Sequence, residues 1–343
     1  MDRLLWLESD LTSEQIAETS QATLGVALHP LALEHLSDSS LSLQFPFPRL
    51  EKHESYLFGT LLVPSNIQNP SADFDALVFA VTHDAVVATV FCHPTSERDW
   101  QADRETLFAI DTTDSTPDGG QFILNCLQLV MHEITSDANA ILGYLQKSSD
   151  DVHDVIDLKR NLGDLSEGTS LSSKARRSLL AEINALLPIA QGISSEIPTI
   201  RRVVIETSSI LDALASDDEK VDLHHDHANT QRELFSRSLE IYLMDLLVQS
   251  RQVLGILGDI ESLTKGIADR STQLAEEESV AAGRFTGAIA SIMLLPTFIV
   301  GLYGQNFAKM PETNWAYGYL FSWGAIVALT VFQVWFFRRR RWL

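Results

Sequence analysis

The chain has 343 residues, with 46 Asp and Glu against 25 Lys and Arg, a formal net charge of −21. That length supplies ample core and excludes a small disulfide scaffold; the two cysteines, Cys92 and Cys126, read as reduced thiols on a cytosolic face. The acidic balance argues against nucleic acid as a partner, because that affinity comes largely from Lys and Arg neutralising phosphates.

The opening MDRLLWLESD is acidic and lacks the apolar run of a signal peptide. Asp10 or Thr12 is placed to cap a helix with Glu14 in its first turn and Ile16 and Leu24 on its apolar face. Four β-rich runs follow, Leu41–Phe45, Tyr56–Val63, Ala76–Val81 and Val86–Phe91, separated by turn-forming clusters such as Pro64-Ser65-Asn66 and His83-Asp84. Together they predict an α/β domain. Leu124, Leu127, Val130, Ile134, Ile141 and Leu145 then predict a helix over 120–160. Asn161 to Ser173 reads as a break, and 174–215 as helix again, in two pieces parted near Gly192 or Pro198. Ser216 to Asn229 reads as a polar tip containing SDDEK and His224-His225-Asp226-His227. The three histidines and Asp226 are of the borderline-soft type that binds Zn²⁺ or Ni²⁺, but a solvated tip without a distant fixed partner is the stronger expectation.

After the tip, Leu239, Leu246, Val253, Ile260, Ile267 and Leu274 recur every seven residues. A second seam at +3, Tyr242, Gln249, Ile256 and Leu263, is partly apolar. Sustained sevens predict a long helix that packs with a left-handed supercoil. No proline lies between Pro198 and Pro296, so this helix runs from about Asn229 into the apolar segment beyond, a rod of about 100 Å. Copies of the chain around an axis are the expected partners of its seam; a dimeric signalling coiled coil entering a membrane is the alternative.

Phe285 to Ala308 and Thr313 to Phe337 carry no charge, and each exceeds the roughly 20 residues that cross a ~30 Å hydrocarbon core. Tyr303, Trp315, Tyr317 and Tyr319 fall at one interface, Trp335 and Trp342 at the other. Residues 283–343 hold six basic residues and one acid, +5, which leaves −26 on residues 1–282. Arg284 and Arg338–Arg341 sit on one side, which the positive-inside rule makes cytoplasmic. The acidic body is then inside the cell and the short loop outside. Three regions result: 1–160, 161–282 and 283–343, with spans near 285–303 and 316–337 joined by an external loop, 304–315.

Gly283, Gly287, Ala290, Leu294, Thr297 and Gly301 fall on one face of the first span, small or weakly polar apart from Leu294. Such a face suits a close helix contact, of which Gly283-x-x-x-Gly287 is one form. With several copies around an axis it lines a narrow conduit instead, Thr297 presenting hydroxyls and Leu294 a dry constriction. Phe285, Ile289, Ile292 and Phe298 are the bulky residues suited to lipid, and Pro296 removes one hydrogen bond from the span.

The loop reads Tyr303-Gly304-Gln305-Asn306-Phe307-Ala308-Lys309-Met310-Pro311-Glu312. It resembles the signature of the CorA family of divalent-cation channels, Tyr-Gly-Met-Asn-Phe followed shortly by Met-Pro-Glu. The two spans, the terminal basic cluster with Trp342-Leu343, and upstream Leu28-His29-Pro30-Leu31-Ala32-Leu33-Glu34, Arg49-Leu50-Glu51 and Tyr56-Leu57-Phe58 match as well. The resemblance implies an α/β N-terminal cytoplasmic domain, a long stalk helix and two C-terminal transmembrane helices in a CorA-like, funnel-shaped homopentamer of the inner membrane. It implies Mg²⁺ as substrate and regulatory ligand, Co²⁺ or Ni²⁺ as further ions, and a ring of Asn306 amides, with Gly304 and Gln305, as selectivity filter. Neutral amide oxygens suit an ion that dehydrates reluctantly and must leave again. Lys309 and Glu312 lie on the loop, where Glu312 draws cations to the mouth. A gapless count back from Asn306 places Asp269 on the stalk aspartate that binds regulatory metal in relatives. Gln305 stands where the signature has Met, and the family's zinc-transporting branch varies this position, so a zinc transporter is the alternative within the fold; a membrane-anchored scaffold is the alternative of another class. The sequence holds no nucleophile–base set, phosphate loop or dinucleotide fingerprint, so neither an enzyme nor a catalytic cofactor is expected.

Overall fold

The computed structural model describes residues 4–8, 11–38, 47–66, 73–109, 118–162, 173–215, 222–224, 231–235, 237–305 and 317–340. They form β1 (Leu4–Trp6), α1 (Ser13–Leu24), α2 (Pro30–Ser37), β2 (Arg49–Lys52), β3 (Leu57–Asn66), β4 (Asp73–Val81), β5 (Val86–Phe91) and α3 (Trp100–Leu107), then α4 (Asp118–Leu162), α5 (Ser173–Ala215), β6 (Asp222–His224), β7 (Gln231–Glu233), α6 (Arg237–Tyr303) and α7 (Gly318–Arg339). The chain divides into two compact units: residues 1–169 with 182–268, and residues 170–181 with 269–343.

In the first unit a five-stranded sheet runs β1-β5-β4-β3-β2, antiparallel except for the parallel β1–β5 pair. β4 is buried at every position from Phe74 to Val81, as expected of a strand covered on both faces. Phe58 pairs with Ala80 and touches His35 of α2, whereas Phe79, on the opposite face, meets Phe122 of α4 edge-on at 5.7 Å. Helices α2 and α4 thus cover opposite faces. The entry of α4 depends on two glycines: a Cβ on Gly119 would lie 2.1 Å from the Thr82 carbonyl oxygen, and one on Gly120 2.1 Å from that of Leu234. Thr12 caps α1 in a reciprocal box with Gln15, and Ile16 and Leu24 are buried as the periodicity implies.

Several local expectations change. Strands β1 and β2 join the three β-runs that the structure describes, while Leu41–Phe45 lies outside the described residues. Helix α5 is not parted at Gly192 or Pro198 but continuous, with Pro188 and Pro198 inside it. Both prolines lie on the exposed side of the helix, where water can take the place of a missing helical donor. Ile197, Ile200, Val203, Val204 and Leu211 hold the other side in the core. A two-stranded ladder pairs Asp222–His224 of the polar tip with Gln231–Glu233 beyond it, and α6 therefore starts at Arg237 rather than near Asn229.

The seam of α6 is buried, and it is wider than the spacing implied. Leu239, Leu246, Val253, Ile260 and Leu274 are buried and Ile267 partly so. A further row lies at +4, where Leu243, Ser250, Leu257, Thr264 and Ser271 are buried; of the +3 row Ile256 is buried, Gln249 and Leu263 partly so, and Tyr242 is 54% exposed. From Leu239 to Ile260 this seam joins the core that contains α4 and α5 residues. The Ser250 hydroxyl oxygen lies 3.1 Å from that of Ser208 of α5, close enough to accept its proton, and Arg201 of α5 pairs with Glu261 at 2.6 Å. This stretch of seam is satisfied within one protomer and does not require the copies that the spacing alone suggested.

At the sheet edge, Arg98 bonds Asp103 at 2.6 Å, Glu133 at 3.3 Å and the Pro64 carbonyl at 3.3 Å. Burial first, then the nearby Glu133 carboxylate, push the Asp137 carboxyl above the ordinary carboxylate range, with Arg98 partly opposing them. A raised native pKa means that the folded state keeps a proton the unfolded state has lost, so stability falls as pH rises through that window. Asp137→Asn is expected to raise the thermal midpoint of the full-length protein at pH 7 by about 1–2 °C, and the gain should vanish below about pH 4, where the unfolded carboxyl is also protonated. Gly120→Ala is expected to destabilise the first unit by about 1–3 kcal/mol, read from denaturant melts of the same protein.

Candidate cation conduit

In the second unit α6 is long and apolar enough to cross a membrane, and so is α7; only 6% and 11% of their most apolar windows are buried, unlike core helices of a soluble protein. One stripe of α6 is covered: Ala288 is fully buried, and Ser291, Ile292, Pro296 and Ile299 partly so. Gln333 of α7 reaches this stripe, its Nε2 donating to the Ser291 carbonyl at 3.0 Å.

Gly283, Gly287, Ala290, Leu294, Thr297 and Gly301 are all exposed, Leu294 at 71%. At 3.6 residues per turn they lie about 200° round the helix from the covered stripe. A Cβ placed on Gly283, Gly287 or Gly301 would meet nothing within 4 Å. The smallness of these residues therefore serves no described contact inside the protomer; it leaves room for something outside it. The Thr297 hydroxyl donates to the Met293 carbonyl at 2.7 Å, so its oxygen turns lone pairs, not a proton, to the open side. Phe285, Ile289 and Phe298 are exposed, and Ile292 belongs instead to the stripe that faces Gln333.

The helix closes on Gly304 and Gln305. Gly304 N–H donates to the Val300 carbonyl at 2.9 Å, and Gln305 N–H to the Leu302 carbonyl at 3.3 Å, a tightening of the last turn. Among the described glycines only Gly25 has a left-handed backbone, so Gly304 is not required for φ. A Cβ there would approach the Val300 carbonyl oxygen to 3.2 Å, a tight contact that a shift of a few tenths of an ångström relieves. Asn306, Lys309 and Glu312 lie outside the described residues, as do His225, Asp226 and His227. His224 belongs to the β6 ladder. Asp269 is exposed on α6, where the second unit begins. No group of three metal-ligating side chains occurs among the described residues. Arg339 stacks over Trp335 at 5.4 Å and Arg340 over Phe336 at 5.6 Å, which fixes guanidinium groups next to the aromatic belt at the end of α7. Gln333 was the functional candidate that spacing did not reveal; its signal was being the one amide in an otherwise apolar span.

A family model described as CorA-like Mg²⁺ transporter protein matches residues 2–339. The magnesium transport protein CorA of Helicobacter pylori is 36% identical over 109 residues, 31% of this chain and 32% of that protein. The cobalt/magnesium transport protein CorA of Thermotoga maritima is 26% identical over 102 residues, 30% of this chain and 29% of that one. The aligned stretches thus span less than a third of either relative. Among solved structures, the CorA magnesium transporter of Methanocaldococcus jannaschii is similar with a TM-score of 0.63 at 14% identity, over 99% of this chain and 90% of that one. The full-length CmaX protein is similar with a TM-score of 0.57 at 17% identity, over 99% and 88%. At these identities the structures show a shared fold.

The two faces of the first span separate in a labelling experiment. In reconstituted full-length protein, cysteines introduced at Thr297 and Gly287 are expected to react with a small water-soluble thiol reagent. A cysteine at Ala288 should resist it, as measured by mass shift.

Proposed function

This chain belongs to the CorA-like Mg²⁺ transporter family, and from that premise we propose that it conducts hydrated divalent cations, Mg²⁺ first, across the cytoplasmic membrane as a homopentamer. The observation that carries this reading is the open face of α6. Five small or weakly polar residues, Gly283, Gly287, Ala290, Thr297 and Gly301, line up with Leu294 on the side away from Gln333, and a Cβ on any of the three glycines would meet nothing within 4 Å. Five such faces around an axis make a conduit walled by backbone, Thr297 oxygens and the Leu294 constriction. Cations move through it by electrodiffusion, past the Asn306 amides at the outer mouth, and Leu294 closes it by dewetting.

Both termini are cytoplasmic, because Arg284 and Arg338–Arg341 mark the inner side. The −26 of residues 1–282 then faces the cell interior, where bound Mg²⁺ offsets self-repulsion between subunits and favours a closed channel. The exposure of Asp269 leaves it available to such an ion. A zinc-transporting variant is supported by one residue, Gln305, in the place of the usual Met. The scaffold alternative loses its main support, since the seam over Leu239–Ile260 is buried in the protomer's own core and is not free to form a dimeric coiled coil.

Liposomes loaded with ion-sensitive dyes test the reading. Mg²⁺ entry without a pH gradient is expected, and zinc entry that needs one would favour the zinc variant. Asn306→Ala should remove most of the flux with the oligomer intact; undiminished flux would overturn the filter assignment.

A further inference from the structure

Hydrocarbon penalises an amide unless the amide holds something, because a buried polar group that loses water must regain its bonds within the protein. Gln333 sits in α7 among apolar residues, on a seam with Ser322, Ala325 and Thr330 that is half-covered while the rest of the span is largely exposed. Its Nε2 donates to the Ser291 carbonyl of α6 at 3.0 Å, and its Oε1 is buried with no hydrogen-bond partner among the described residues. The hold of this amide therefore falls on one described bond, and the partner is backbone.

The position of that bond is informative. Pro296 has no N–H, so the carbonyl four residues earlier, Ile292, loses its helical donor. Gln333 grips the carbonyl immediately before it, at the turn where the ladder of α6 is weakest. Leu294 and Thr297 flank Pro296 and point to the open side of the helix.

We propose that Gln333 is a positioning residue, a clamp from the second span that fixes the proline-weakened turn of the first and thereby sets the stance of Leu294 and Thr297. The clamp itself is a property of the two spans; its effect on transport rests on the conduit reading above. Because the acceptor is a main-chain carbonyl, the Ser291 side chain is not part of it. The clamp matters only while the ladder has its gap, so restoring the missing N–H makes Gln333 dispensable.

The test uses full-length protein in liposomes, with Gln333→Leu, Gln333→Met, Ser291→Ala, Pro296→Ala and the Pro296→Ala/Gln333→Leu pair. Spin labels at Leu302 and Leu320, in a background with Cys92 and Cys126 replaced and labelled chain diluted into unlabelled, report the distance between the two spans. Gln333→Leu and Gln333→Met should broaden that distance and change the rate of Mg²⁺ flux by about threefold or more, the equilibrium factor of one interhelical hydrogen bond in a membrane. Ser291→Ala should leave both readouts unchanged, and the double variant should behave as Pro296→Ala alone. Unaltered distances in both Gln333 variants, or the same broadening with and without Pro296, would overturn the clamp. Wild-type protein without flux would overturn the conduit reading instead, while the distance measurement still decides the clamp.

Discussion

One helix has to be soluble at one end and lipid-compatible at the other, and what it buries at each end determines the rest. Over Leu239–Ile260, α6 places an apolar seam in a core shared with α4 and α5, and hydrophobic burial holds it there. Beyond Arg284 that driving force disappears, because lipid is as apolar as leucine. Contact between spans then relies on close approach and on hydrogen bonds, as at Ala288 and at the Ser291 carbonyl that Gln333 grips. The same helix thus changes its packing chemistry along its length, and its sequence changes from Leu and Val rows to Gly, Ala and Ser.

What could be read from sequence alone follows the same division. The long uncharged runs were legible because bilayer thickness is a coarse constraint, and they coincide with the two helices long and apolar enough to cross a membrane. The Thr12 cap and the strands Leu57–Asn66, Asp73–Val81 and Val86–Phe91 were legible because capping and β-branching act locally. β1 and β2 were not: at three and four residues they gain their identity from the strand beside them. The +4 row of α6 was hidden because Ser250, Thr264 and Ser271 do not look apolar, yet Ser250 and Thr264 can be buried by bonding to carbonyls of their own helix. Pro198 misled for a related reason. A proline is a strong local breaker, but an exposed one on a helix packed along its other side loses a bond that water can replace.

Within the candidate conduit, spacing identified a face but not its neighbour. The direction of Gly283, Gly287, Ala290, Leu294, Thr297 and Gly301 was fixed by helical geometry alone. α7 meets the opposite stripe through a hydrogen bond from the Gln333 amide to the Ser291 carbonyl, between residues 42 positions apart, which no periodicity contains. Gly304 shows the converse case. Its presence was legible, but a left-handed backbone is not the reason for it.

The bond from the Thr297 hydroxyl to the Met293 carbonyl has a consequence for charge discrimination. Every helical N–H on that face beyond the first turn is committed to the ladder, and this bond commits the side-chain proton too. A wall built from such faces offers lone pairs and hydrocarbon but no donor. In the proposed conduit a chloride or phosphate ion would shed hydration and receive nothing in return, so anions would be rejected without any negative charge in the wall.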